Sequence, residues 1–176
     1  EAADIVAELD EDRSEKVLAS LESIDREDSD DIRQLLAYDE ETAGGIMQTE
    51  IIAVEQHLRR DAIIEHIRDN LDEVDNLHYV FVTDEENRLI GVLEITRLLL
   101  AKQNRSAMEL MDGGVISAHV DTDQEEIANI FRKYDIYILP IVDDDNHLLG
   151  RITVDDVIDV IDEEASEDAY KMVGLE

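Results

Sequence analysis

Two stretches of this chain repeat each other, and that repeat constrains the fold more than any other feature. "VTDEENRLIGVLEITRLL" at 82–99 aligns with "IVDDDNHLLGRITVDDVI" at 141–158. Asp84 matches Asp143, Asn87 matches Asn146, Leu89 matches Leu148 and Gly91 matches Gly150, each pair 59 residues apart. Upstream, each copy offers a short apolar strand ("IIAVE", "VISAHV") and then an amphipathic helix ("LRRDAIIEHIRDNL", "DQEEIANIFRKY"). A second strand follows ("HYVFVTD", "IYILPIVD"), then a polar turn, a third strand ("LIGVLEI", "LLGRITV") and a second helix. The unit is β-α-β-β-α, present twice. A single unit leaves one face of its small sheet bare, and two units can bury those faces together. The fold class is therefore α/β, built on a tandem repeat. Pro140 falls in the second strand of copy two; with no N–H to give a ladder, it is expected at an edge or a strand start.

Ahead of the repeats, residues 1–37 carry short apolar stripes at helical spacing, such as Val17, Leu18 and Leu21, with Asp and Ser in capping positions. They predict three short helices, too few for a core of their own. The Gly44-Gly45 pair in "DEETAGGIM" predicts a linker or turn, and Gly113-Gly114 a turn before a strand. The sequence begins at Glu1 without Met and reads as a piece of a longer protein.

Charge narrows the function classes. The net charge is −32, from 47 acidic and 15 basic residues. Such a field repels phosphate backbones and anionic lipid alike, which excludes nucleic acid as a partner. With five Tyr, two Phe and no Trp, no base-stacking platform is available. An apolar fraction of 44% supports a packed core rather than disorder. The absence of cysteine excludes disulfides and thiolate chemistry. Histidines 57, 66, 78, 119 and 147 are scattered without metal-ligand spacing, and no nucleophile–base pattern or phosphate loop occurs, so an enzyme is the least expected class.

The negative charge is most concentrated in "TVDDVIDVIDEEASEDAY", where residues 153–170 hold eight carboxylates and no Lys or Arg. On a helix, like-charged pairs at i,i+4 cost ~0.2–0.5 kcal/mol each. Asp155, Asp156, Asp159, Asp162, Glu163 and Glu167 fall within an arc of roughly 140°, leaving Val157, Ile158, Ile161 and Ala165 to pack inwards. A hard cation that keeps some of its waters, such as magnesium, suits such a face. A solvated face in a salt-adapted protein is the plain alternative.

The repeat, with "LPIVDDDNHLLGRITVDDVIDV" as its clearest stretch, resembles a tandem pair of CBS domains. Together with "LLAYDEETAGGIM", "DTDQEEIANIFRKYDIYILPIVD" and the acidic run, the chain resembles the cytosolic region of MgtE-type magnesium transporters. The resemblance implies four parts: 1–40 as the last helices of an N domain, 41–104 and 105–163 as the two CBS repeats, and 164–176 as the start of a helix leading towards a membrane pore. It further implies a homodimer formed through the CBS domains, a transmembrane pore domain of the same protein, and a place on the cytoplasmic side of the cell membrane. Magnesium would bridge carboxylates and favour a compact state in which the pore closes. Carried over residue by residue, the metal positions are Asp4, Asp135, Asp156, Asp159, Glu164, Glu167 and Asp168, all acidic here. The partner acid that the family pairs with Asp4 would precede Glu1.

CBS pairs also bind adenine nucleotides such as ATP or AMP, through a Thr/Ser-x-x-Asp whose Asp accepts both ribose hydroxyls. Copy two has Thr153-Val-Asp-Asp156; copy one departs, with Glu94-Ile-Thr-Arg97. Thr153, Asp156 and Tyr79, a conceivable adenine contact or simply a core tyrosine, are the nucleotide candidates. The expected function is a magnesium-sensing regulatory module, with nucleotide sensing as the alternative.

Overall fold

The computed structural model describes residues 17, 38–70, 77–158 and 160–161. Expectations resting on the other residues lie outside the described part: the three leading helices, apart from a helical Val17, and the stretch from 162 on. Eleven elements are bounded among the described residues. In chain order these are α1 (Ala43–Ile46), β1 (Ala53–Glu55), α2 (Arg60–Asp69), β2 (Tyr79–Thr83), β3 (Leu89–Glu94), α3 (Ile95–Leu100), α4 (Ala107–Leu110), β4 (Ala118–His119), α5 (Gln124–Tyr134), β5 (Ile138–Val142) and β6 (Leu148–Thr153). Residues 154–158 and 160–161 are helical as well.

The strands form two three-stranded sheets with identical wiring. The first has the order β1-β2-β3 and the second β4-β5-β6, each pairing its first two strands in parallel and its last two antiparallel. Parallel pairing follows from the helix that crosses over between the first two strands, and antiparallel pairing from the tight turn between the last two. The matched residues explain that turn. Asn87 (φ 61°) and Asn146 (φ 67°) take the left-handed conformation that Asn tolerates better than most residues. The Asp84 carboxylate accepts the Glu86 and Arg88 N–H groups, and that of Asp143 accepts those of Asp145 and His147.

The two hairpin turns meet. Leu89 N–H donates to Asn146 O at 2.9 Å, Leu148 N–H to Asn87 O at 3.2 Å, and Asn146 Nδ2 to Leu89 O at 2.7 Å. Phe81, Leu89, Val142 and Leu148 form a buried cluster shared by the two copies. The bare sheet faces thus cover each other, as the repeat predicts. Each copy keeps a further core of its own, one around Ile63, Val80 and Leu93, the other around Ile127, Leu139 and Ile152.

One sequence expectation needs correction. Pro140 is fully buried in β5, the central strand, and not at an edge or strand start. Its partner on β6 is Arg151, whose own N–H and C=O bond to Gln48, so that side of Pro140 has no ladder bond to lose. On the other side β4 pairs only with Ile141 and Val142 and stops short of it. Gly44 and Gly45 lie in the helical turn α1, within the expectation of a linker or turn. That turn docks on copy two: Ala43 N–H donates to Thr122 O at 2.7 Å and Gly44 N–H to Val120 O at 2.8 Å. Its counterpart α4 docks on copy one, with Ala107 N–H on Leu58 O and Met108 N–H on Gln56 O. The connector ahead of each repeat therefore completes the core of the other repeat. The glycines matched between copies make room for this. A Cβ on Gly150 would lie 2.7 Å from Gln48 O and 2.9 Å from Met47 Sδ, and one on Gly91 would meet Met111 Sδ.

Candidate functional site

Three clefts open between the repeats among the described residues, and Tyr79 and Tyr137 line all three. The largest, about 470 Å³, is lined by Gln48, His78, Tyr79, Ile138, Arg151, Thr153 and Asp156 among others. It therefore gathers the three nucleotide candidates in one place. Tyr79 stands at the start of β2, half-buried and opposite Glu94 on β3.

Asp156 is held by its own helix. Its Oδ2 accepts both the Thr153 N–H and the Thr153 Oγ1–H at 2.7 Å. The Thr-x-x-Asp pattern thus acts as half of a capping box at the point where β6 turns into helix. Asp156 Oδ1 accepts Gln48 Nε2–H at 3.0 Å. Gln48 Oε1 in turn accepts from Arg151 Nη2 at 3.3 Å, and Arg151 is only 5% exposed. A carboxylate offers about four acceptor positions, and three of those on Asp156 are already filled.

The other two clefts, about 350 and 390 Å³, surround the matching place in copy one, with Val92 and Asp112 on one side and Glu94 and Thr96 on the other. Glu94 Oε1 accepts Thr96 Oγ1–H at 2.6 Å. Arg97, in the position of Asp156, donates to Leu110 O at 3.0 Å and lies 3.8 Å from Asp112 Oδ2. Arg97 can only donate, so the position that Asp156 holds in copy two offers no acceptor for a ribose diol here.

Of the metal candidates, Asp135 and Asp156 lie among the described residues; Asp4, Asp159, Glu164, Glu167 and Asp168 lie outside them. Asp135 ends α5 in the left-handed conformation (φ 52°, ψ 44°), its N–H on Phe131 O, with its side chain exposed. It lines the 350 Å³ cleft, whereas Asp156 lines the 470 Å³ one. Among the described residues no group of three or more His, Asp or Glu could hold a metal ion. What these two offer is one open carboxylate and one with a single free acceptor position, chemistry that suits a cation retaining much of its water. The inward face of the acidic helix differs from expectation. Val157 is buried as expected, but Ile158 is 51% exposed and Val160 is buried in its place. Gln48 is the residue that sequence reasoning missed. A second register carries its signal: "TAGGIMQ" at 42–48 parallels "SAMELMD" at 106–112, which sets Gln48 against Asp112.

The turn carboxylates are the electrostatically distinct groups. His147 Nδ1, 2.9 Å from Asp143 Oδ2, is the first cause holding the Asp143 carboxyl below the usual range, and burial works against it. For Asp84 burial pushes upwards, but the Arg88 N–H and guanidinium with the Glu86 N–H together bring it below the usual range. Among the described residues no helix is long and apolar enough to cross a membrane.

This architecture of paired β-α-β-β-α repeats with clefts between them defines a class of tandem-repeat module. The chain belongs to the CBS domain family, whose model matches residues 43–104 and 107–163. Within that family its sequence is of the MgtE type. It is 37% identical over 85% of its length to the magnesium transporter MgtE of Enterococcus faecalis, covering 33% of that protein. The crystal structure of the soluble part of a magnesium transporter matches with a TM-score of 0.87 and 38% identity, over 93% of this chain and 63% of that one. The cytosolic domain of the Mg2+ channel MgtE in complex with ATP matches with a TM-score of 0.72 and 31% identity, over 90% of this chain and 68% of that one. The chain spans about a third of the length of the curated MgtE relatives it matches.

Proposed function

We propose that this chain is the cytosolic magnesium-sensing module of a magnesium transporter, acting as a regulator and not as a catalyst. The observation that carries the reading is the match to the soluble part of a magnesium transporter and to the MgtE cytosolic domain, in a chain whose net charge is −32. The mechanism is electrostatic. Clustered carboxylates make the compact arrangement costly, and bound magnesium relieves their repulsion. Magnesium then shifts the population towards the compact, pore-closing state by its difference in affinity for the two states. Asp135, Asp156 and Asp159 are the carboxylates of the CBS pair in this reading, with Glu164, Glu167 and Asp168 along the helix that follows and Asp4 from the N domain. The whole protein is then a homodimer at the cytoplasmic side of a membrane, and the exposed Leu99, Leu100 and Met108 offer apolar surface for a second copy.

A nucleotide role is favoured by its own observation: the 470 Å³ cleft gathers Tyr79, Thr153 and Asp156, and a relative has been seen with ATP. The two readings share Asp156 and are compatible in one molecule. The test of the first is the double variant Asp156→Asn, Asp159→Asn. Losing the charged cap costs about 1 kcal/mol, too little to unfold the pair. Protection from proteolysis by magnesium should weaken several-fold in the variant. A response like that of the wild type would remove these residues from the sensor.

A further inference from the structure

Asp156 has one free acceptor position, and a ribose diol needs two. That count has a consequence for the 470 Å³ cleft, and it rests on the nucleotide reading above. One of the three donors now on Asp156 has to leave before both hydroxyls can bind. The Thr153 N–H is fixed where β6 turns into helix, 2.7 Å from Oδ2. The Thr153 hydroxyl shares that same oxygen. Gln48 Nε2 stands alone on Oδ1, on a long side chain that reaches in from the connector between α1 and β1.

We propose that Gln48 is a built-in competitor for the nucleotide, its amide N–H holding the Asp156 oxygen that a ribose hydroxyl must take. The backbone of Gln48 is tied to the sheet by reciprocal bonds with Arg151, 2.8 Å and 2.9 Å long, so only the side chain has to swing out. Its Oε1 leaves Arg151 Nη2 in the same movement. The pseudo-equivalent place in copy one repeats the arrangement with the polarity reversed: Asp112, the counterpart of Gln48, faces Arg97, the counterpart of Asp156, at 3.8 Å. In both copies the connector thus supplies a partner for the residue three places into the helix after the last strand. The same connector docks on copy two through the backbone N–H groups of Ala43 and Gly44, contacts that a swing of the Gln48 side chain leaves in place.

The test is calorimetric titration of the full chain with AMP and with 2′,3′-dideoxyadenosine monophosphate in EDTA. Wild type is compared with Gln48→Met, which keeps the bulk but cannot donate, and with Asp156→Asn. The expected result is AMP binding about three- to tenfold tighter in Gln48→Met, the factor for one net hydrogen bond. The dideoxy compound, which makes no demand on Asp156, should bind wild type and Gln48→Met equally. AMP binding that is unchanged or weaker in Gln48→Met, or a gain shared by the dideoxy compound, overturns the proposal while leaving the nucleotide reading standing, provided that Asp156→Asn weakens AMP. Unweakened AMP binding in Asp156→Asn, or no binding of AMP to any form, overturns the nucleotide reading and this proposal with it.

Discussion

Asp84 and Asp143 do the same work at matched positions, each gathering the N–H groups of its turn and one side chain beyond it. The partner differs: Arg88 is a permanent cation, His147 a titratable one. The folded Asp143 carboxyl titrates below its unfolded value, so its stabilisation is full above about pH 4 and is lost as pH falls through the folded value. Asp143→Asn should therefore lower the melting temperature at neutral pH, with the gap to wild type closing on acidification. A gap that stays constant down to the acid limit would show that the carboxylate's charge contributes nothing. The turns were legible in the sequence because their chemistry is local: Asp, Asn and Gly recur at fixed offsets, and each has one conformational reason to be there. Gln48 was not read, since its role depends on Asp156, 108 residues away, and its signal lies in a second register at a different offset from the main repeat.

At the scale of elements, the strands and crossover helices followed the apolar periodicity closely, whereas the connectors did not. The docking of α1 on copy two uses backbone N–H groups of Ala43 and Gly44 on the carbonyls of Thr122 and Val120, and backbone bonds leave no mark on residue type. What the sequence does show is the space such docking needs, in Gly91 and Gly150. Gly150→Ala should cost about 1–3 kcal/mol, because its Cβ would press on the Gln48 carbonyl, which cannot move without the connector. Gly114, with nothing within 4 Å of a built Cβ, is the control, and Gly114→Ala should stay within about 0.5 kcal/mol of wild type. Urea unfolding distinguishes the two; equal values would mean that the connector yields freely. The inward face of the acidic helix was read with one residue misplaced, Val160 and not Ile158 being in the core. An arc drawn for an isolated helix does not know how that helix tilts against its sheet.

For the whole molecule, a shared core of Phe81, Leu89, Val142 and Leu148 makes the two repeats a single unit, and the chain carries a net charge of −32. The repeat made the pairing legible, and the charge is what motivates the proposal of a cationic partner. The site itself was legible only in part: Tyr79, Thr153 and Asp156 share a cleft, while the described metal candidates Asp135 and Asp156 line different ones. Carboxylates that would gather a hydrated ion loosely need no strict spacing in sequence, so composition suggests an ion without naming its ligands. The central claim is that divalent cations bind and do more than screen. A thermal melt titrated with magnesium chloride, set against sodium chloride at equal ionic strength, tests it most directly. A saturable rise in melting temperature with magnesium, well beyond that in sodium, is the predicted result. Equal rises in both salts would mean that the charge is merely screened, and would contradict the sensing account.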